Sequence, residues 1–242
     1  MKILIVVPAY NESENIVGVI DSLRAVNPEW DIVVINDCST DNTASLVDST
    51  NKATVISLPC NLGIGGAVQT GFKYAKAKNY DIVVKFDGDG QHISTEINKI
   101  LTPILSNESD VVIGSRFLEV HDGFKSTFLR LIGIKIFSIV NSFLIHQKIT
   151  DNTSGFRAYN RRAIDFLHIH YPSFDYPEPE EVILLGKNGF RLKEIFTEMQ
   201  QRLGGRSSIT GLKSIYYMIK VLLAVCIVAI RGKTPHYQRH DS

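Results

Sequence analysis

Asp87 and Asp89 stand two residues apart in Asp87-Gly88-Asp89-Gly90-Gln91-His92, directly after the apolar run Asp81–Phe86. Carboxylates this close repel one another unless a cation lies between them. Hard divalent cations take oxygen ligands and commonly bridge a carboxylate to substrate phosphates. The flanking glycines let the backbone approach a ligand closely. The expectation is Mg2+ or Mn2+ held by Asp87 and Asp89. The structural alternative is a plain Asp-Gly turn.

Four further groups have chemistry to offer. Asn36-Asp37 follows a second apolar run and suits hydrogen bonding to a base or ribose. Its structural alternative is helix capping, with Ser39 or Thr40 as N-cap and Asp41 in the first turn. Gly63-Ile64-Gly65-Gly66 precedes a helical pattern and offers phosphate contact, although it is not GxGxxG. Arg116, Arg157, Arg202 and Arg206 lie among small residues, and arginine forks match phosphate oxygens. The stretch Arg202–Ser208 is the strongest of these, because a basic glycine-rich loop can close over a diphosphate. Pro177-Glu178-Pro179-Glu180-Glu181 opens a helix whose dipole favours acids, and Glu178 there is a candidate general base for an incoming hydroxyl. The histidines form no HxxxH or HExxH, which argues against a zinc site.

Positioning these groups requires elements, and the pattern supplies them. Short β-branched runs occur at Ile3–Val7, Asp31–Ile35, Thr54–Leu58, Asp81–Phe86 and Asp110–Ile113, each too short for a helix. Helical patterns over residues 12–26, 65–78 and 94–106 separate them. Strand–helix alternation predicts a mostly parallel α/β sheet with helices on both faces. Ligands bind beyond the carboxyl ends of such strands, and the residue groups singled out above mostly follow the runs. Further on, residues 126–146 read as a helix, residues 151–159 as turns leading to a strand, and residues 178–188 as a helix ending at Gly189.

The composition, 44% hydrophobic and 21% charged over 242 residues, excludes a disordered or collagen-like chain and allows a sizeable core. Three cysteines without a CxxC pair point to a reducing, cytoplasmic setting, and the five apolar residues before Pro8 read as a first strand rather than a secretory signal. Net charge is +1, yet residues 202–242 carry seven Lys or Arg against one Asp, so the rest of the chain is net acidic. Ile215–Ile230 is apolar apart from Lys220, and a spanning helix needs about 20 such residues. With Lys213 and Lys220 on one face, this segment suits a helix lying in a membrane interface. The alternatives are packing on the core or on a second copy of the chain, and a short single span. No nucleic-acid partner is expected.

Taken in order, Pro8-Ala9-Tyr10-Asn11-Glu12, Asn36-Asp37-Cys38-Ser39-Thr40-Asp41, Asn61-Leu62-Gly63, Asp87-Gly88-Asp89-Gly90-Gln91-His92, Gly114-Ser115-Arg116 and Thr153-Ser154-Gly155-Phe156-Arg157 resemble the motifs of family 2 glycosyltransferases. The nearest branch looks like the dolichyl- or polyprenyl-phosphate sugar transferases and their bacterial cell-surface polysaccharide relatives. The resemblance implies a GT-A fold over residues 1–210, followed by a C-terminal basic and apolar helix and tail over residues 211–242. It implies a nucleotide-sugar donor, a lipid-linked or glycan acceptor, a divalent metal, inversion at the anomeric carbon, and work at the cytoplasmic face of the cell membrane in envelope glycan synthesis. By position, Pro8, Tyr10, Glu12 and Asp37 would hold the nucleoside, and Asp87, Asp89 and Gln91 the metal and diphosphate. Arg116 would lie near the sugar or phosphates, and Arg202, Arg206 and Ser207 on a loop closing over the donor. Two departures stand out. Asn36-Asp37 replaces a common Asp-Asp, and Glu178 falls where the family's base aspartate would be. A lipid-phosphate acceptor, already ionised, would need no strong base. The rival readings are a nucleotidyltransferase and a non-catalytic nucleotide-sugar-binding protein at the membrane.

Overall fold

A computed structural model describes residues 1–118, 142, 144, 145, 147–172 and 177–200. Within them the chain alternates β1 (Ile3–Ala9), α1 (Ile16–Val26), β2 (Asp31–Asn36), α2 (Thr43–Thr50), β3 (Thr54–Ser57), α3 (Gly63–Ala77), β4 (Ile82–Lys85), a short 3₁₀ turn (Ser94–Glu96), α4 (Ile97–Leu105) and β5 (Val111–Ser115). It then continues through β6 (Arg157–Asn160), α5 (Arg161–His170), α6 (Glu178–Lys187) and β7 (Leu192–Phe196). The seven strands form one sheet in the order β3-β2-β1-β4-β6-β5-β7. All neighbours are parallel except β6, which runs antiparallel to both β4 and β5. The expected α/β fold with a mostly parallel sheet is therefore present.

Period-two alternation in the strands divides the core. Ile5, Val7, Ile32, Val34 and Val84 point to one face, where they meet Ile16, Val19, Ile20 and Leu23 of α1, Val47 of α2 and Ile97, Ile100, Leu101 and Ile104 of α4. Leu4, Val6, Val33, Ile35 and Val83 point to the other, against Ala67, Val68, Phe72 and Ala75 of α3 and Ala163, Ile164, Phe166 and Leu167 of α5. Burying each large apolar side chain contributes about 1.5–3 kcal/mol. Both faces are covered, which is why the strands read as continuous apolar runs.

Some boundaries differ from the sequence reading. The helix expected from residue 12 starts at Ile16, and ahead of it a turn closes with the N–H groups of Asn15 and Ile16 both donating to the Glu12 carbonyl. The cap expected at Ser39 or Thr40 lies further on. Asp41 accepts from the Thr43 N–H (3.0 Å) and from the Thr43 hydroxyl (2.5 Å), and α2 begins only at Thr43. Gly189 ends α6 as expected, one residue past the Asn188 C-cap and with φ +74°. The sequence reading did not anticipate α5 or β7. Of the helix expected over 126–146, only Ser142, Leu144 and Ile145 are described, and they are helical. The proposed division at residues 210/211 and the interfacial segment Ile215–Ile230 lie outside the described residues. Among the described residues no helix is long and apolar enough to cross a membrane.

Candidate active site

The parallel strands β1, β2 and β4 all deliver their carboxyl ends to one edge of the sheet. Because β6 is reversed, its start lies at that same edge, so residues 151–156 join the site from the opposite chain direction. The edge has two lobes, which meet at the end of β1.

The first lobe gathers the residues read as nucleoside-binding. Asp37 is buried; its N–H donates to the Ala9 carbonyl (2.9 Å), and its carboxylate accepts from the Leu62 N–H (2.7 Å). Asn36 is also buried, but its amide is committed to Ser57 (3.1 Å) and to the Ser39 N–H (3.1 Å). Asn36 therefore ties β2 to β3 rather than pointing outward. Tyr10 is 49% exposed above this lobe, an open ring on which a base can stack. The Glu12 carboxylate accepts from the Asn15 amide (3.0 Å), and its N–H donates to the Thr43 hydroxyl (2.9 Å). Asn11 and Cys38 both take left-handed backbone, with φ 57° and 60°. For cysteine that conformation is unusual and marks a constrained turn. Gly63 opens α3, and its N–H donates to the Asn61 side chain (3.1 Å).

The second lobe is built around Asp87. Its Oδ2 lies 2.9 Å from His92 Nε2. Gly155 also packs on this carboxylate, where an added Cβ would come within 2.7 Å of Asp87 Oδ2 and 3.0 Å of Oδ1. The same crowding holds the turn against β1, since a Cβ on Gly88 would meet the Pro8 carbonyl at 3.2 Å. The Pro8 backbone thus packs against the Asp87–Asp89 turn. Asp87 remains 33% exposed. Desolvation pushes its carboxyl upward, but the His92 hydrogen bond and the charges of His92, Lys85 and Arg116 outweigh this and hold it at about 2. Asp89 is half-buried and accepts from the Gln91 N–H (3.1 Å). Arg116 lies beside this lobe, locked by a two-pronged pair to the fully buried Asp151 (2.7 and 2.7 Å) and by Thr153 (2.7 Å).

Beneath both lobes lies a buried ionic layer. Lys85, wholly buried on β4, reaches Glu178 Oε1 at 2.5 Å. Arg157, also wholly buried, donates to the carbonyls of Ser154 (2.8 Å), Asn152 (3.1 Å) and Glu178 (3.2 Å), and pairs with Glu181 at 3.1 Å. Burial would weaken its charge, but Glu181 and Glu178 more than compensate and raise its pKa. Arg157, one of the four arginines read as phosphate candidates, is thus a structural brace and has no route to a ligand. Lys85, His92, Asp151 and Gly155 were given no role in the sequence reading. Lys85 had a legible signal, a lone cation inside an apolar strand, which must find a buried partner. Arg202, Arg206 and Ser207 lie outside the described residues.

The Glycosyl transferase family 2 model matches residues 4–167. This chain is a family 2 glycosyl transferase. As a family 2 member, it is 28% identical over 239 residues to the UDP-N-acetylglucosamine–dolichyl-phosphate N-acetylglucosaminyltransferase of Methanococcus voltae, covering 90% of this chain and 94% of that protein. It is 27% identical over 227 residues to the polyprenol monophosphomannose synthase of Mycolicibacterium smegmatis, covering 91% and 85%. Among solved structures, glucosyl-3-phosphoglycerate synthase from Mycobacterium tuberculosis, in complex with Mn2+, uridine diphosphate and phosphoglyceric acid, aligns with a TM-score of 0.70 at 18% identity. That alignment covers 96% of this chain and 80% of that one. The likeness to this structure is one of fold, and the fold is GT-A.

Two carboxylates in one turn, one of them held ionised, are a hard-oxygen donor set that fits Mg2+ or Mn2+. No cluster of three His, Cys, Asp or Glu side chains that could hold a metal occurs among the described residues.

Proposed function

We propose that this family 2 glycosyl transferase moves a sugar from a nucleoside-diphosphate donor to the phosphate of a polyprenyl-type lipid. The observation that carries this is the buried Lys85–Glu178 pair, at 2.5 Å. A general base must take a proton from the nucleophile, and a carboxylate closed onto a buried ammonium is poorly placed to do so. A phosphate monoester arrives already ionised and needs no base. The names of the M. voltae and M. smegmatis relatives, which carry dolichyl phosphate and polyprenol monophosphomannose, support the same acceptor class.

In this reading Pro8, Tyr10, Glu12 and Asp37 receive the nucleoside, and Asp87, Asp89 and Gln91 face the diphosphate. A bound Mg2+ or Mn2+ supplies neutralisation of the charge that develops on the leaving group. Arg116, pre-set by Asp151, adds a fixed positive charge at no reorganisation cost. An acceptor phosphate oxygen attacks the anomeric carbon from the face opposite the diphosphate. The new C–O bond forms as the old one breaks, the electron pair leaves with the nucleoside diphosphate, and the configuration inverts. Lys85 and Glu178 hold their charges in place below the site and exchange no proton with substrate. Arg202, Arg206 and Ser207 are assigned to the donor side, and residues 211–242 to peripheral contact with a membrane.

The test pairs two acceptors, a short polyprenyl phosphate and the matching polyprenol, with a panel of UDP- and GDP-sugars and Mn2+ or Mg2+. The expected products are a lipid phosphate sugar and a nucleoside diphosphate, seen by mass spectrometry only with the phosphate acceptor. Transfer to polyprenol, or release of pyrophosphate, would overturn the reading. Glu178→Gln should keep transfer to the phosphate acceptor within about tenfold, because no proton is taken; a general base would lose about 10²–10⁴-fold.

A further inference from the structure

His92 is more than the last letter of the aspartate turn. Its side chain is 2% exposed and packs in a cluster with two aromatic rings that also touch each other. Phe156 stacks on it with centroids 4.9 Å apart, and Phe86 meets it edge-on at 5.5 Å. An apolar ring would fill that cradle equally well, so packing does not explain an imidazole here. Nor does a polar network, because Nδ1 is buried without a hydrogen-bond partner among the described residues. An unpaired buried nitrogen is a standing cost. The one polar contact described for the ring is Nε2 to Asp87 Oδ2, at 2.9 Å.

The backbone around the ring is fixed as well. His92 forms an isolated antiparallel bridge with Met199. The Gln200 N–H donates to the Gln91 carbonyl (3.0 Å), and the Gln200 amide donates to the Gly90 carbonyl (2.8 Å). Gly155 packs closely on the same carboxylate, so Asp87 meets both a donor and a wall.

We infer that His92 is a positioning residue that fixes the Asp87 carboxylate so that its second oxygen faces the cation. The inference rests on the reading of Asp87 as a metal ligand. Hydrogen-bond partners of metal ligands typically change metal affinity by about 10–100-fold when removed.

Two substitutions separate hydrogen bonding from packing. His92→Phe keeps a ring in the cradle and removes the donor. His92→Gln places an amide nitrogen near the position of Nε2. Free Mn2+ is followed by electron paramagnetic resonance during titration of each protein in the presence of UDP and, separately, GDP. Nucleotide binding without metal and thermal unfolding are measured alongside. The expected result is Mn2+ affinity about 10–100-fold weaker in His92→Phe, near wild type in His92→Gln, and metal-free nucleotide binding unchanged in both. Equal Mn2+ affinity in wild type and His92→Phe overturns this inference alone. So does an equal loss in both folded variants. Wild-type protein that binds no Mn2+ with either nucleotide overturns the metal reading itself, and this inference with it. If His92→Phe fails to fold, His92→Gln is compared with His92→Asn, whose shorter amide falls nearer Nδ1. Tighter Mn2+ binding by the Gln variant supports the assignment, and equal binding by the two overturns it.

Discussion

Asp87 and Asp110 lie at opposite edges of the sheet, each just beyond one of the two strands that flank β6. Asp110 precedes β5 at the amino-terminal edge, and every direction around it is taken. It accepts from the Arg191 N–H (2.8 Å) and guanidinium (3.2 Å), from Arg162 (2.9 Å) and from the Asn160 amide (2.9 Å). Asp87 follows β4 at the carboxyl-terminal edge. Its described hydrogen bond is to one histidine, and it stays one-third open. Both carboxyls sit below their ordinary range, so ionisation alone does not separate them. What separates them is acceptor capacity left over. A saturated carboxylate joins strands and helices, whereas an unsaturated, partly exposed one is available to a ligand.

The most severe way to break this comparison is at the open end. Asp89→Ala should reduce sugar transfer by on the order of 10²–10³-fold with thermal unfolding little changed. Near-normal turnover with metal present would remove the aspartate turn from the chemistry. Asp110→Ala should do the reverse. It should cost about 2 kcal/mol of stability in urea unfolding, while the folded protein keeps its turnover. The loss stays moderate because Arg162 and Arg191, at 25% and 48% exposed, can turn to water. Gly155→Ala sharpens the contrast more finely. Its Cβ pushes on the end of one side chain rather than on backbone, so the fold should survive. Donor and metal affinity should fall about tenfold, measured by calorimetry, as expected when a positioned group is displaced.

The smallest effect is a slope. The folded Asp110 carboxyl lies below 3.8, the value it regains on unfolding. The unfolded chain therefore binds its proton first as pH falls. The stability Asp110 contributes is complete above about pH 4 and is lost as pH drops through its lower native value. Unfolding measured at pH 5, 4 and 3 should show a shallower acid slope in Asp110→Asn than in wild type. Identical slopes would count against the ion cluster.

The sequence was a good guide wherever a pattern was local. Apolar runs located β1 to β5, and the polar residues after them marked the site edge, because parallel strands end on one side. The reversal of β6 and the addition of β7 depend on pairings between distant segments, which no local period records. The same limit applied within the site. Asp87 and Asp89 were legible from spacing, but the partners of Asp87 were not. Gly155 reaches it only because β6 is antiparallel, and Lys85 shows its meaning only once Glu178 lies across it. Arg157 illustrates the converse. Its residue type suggested phosphate, and its burial made it a brace.

The single reversed strand has a further consequence. Leaving β5 at Ser115 and re-entering at Arg157, the chain begins and ends its excursion at the carboxyl-terminal edge of the parallel strands. A connection whose two ends are already neighbours can be lengthened at little entropic expense, each doubling costing about 0.6 kcal/mol. Both anchors of that interval, Arg116 at its start and Asp151 and Gly155 near its end, therefore stay together at the site edge whatever length of chain joins them.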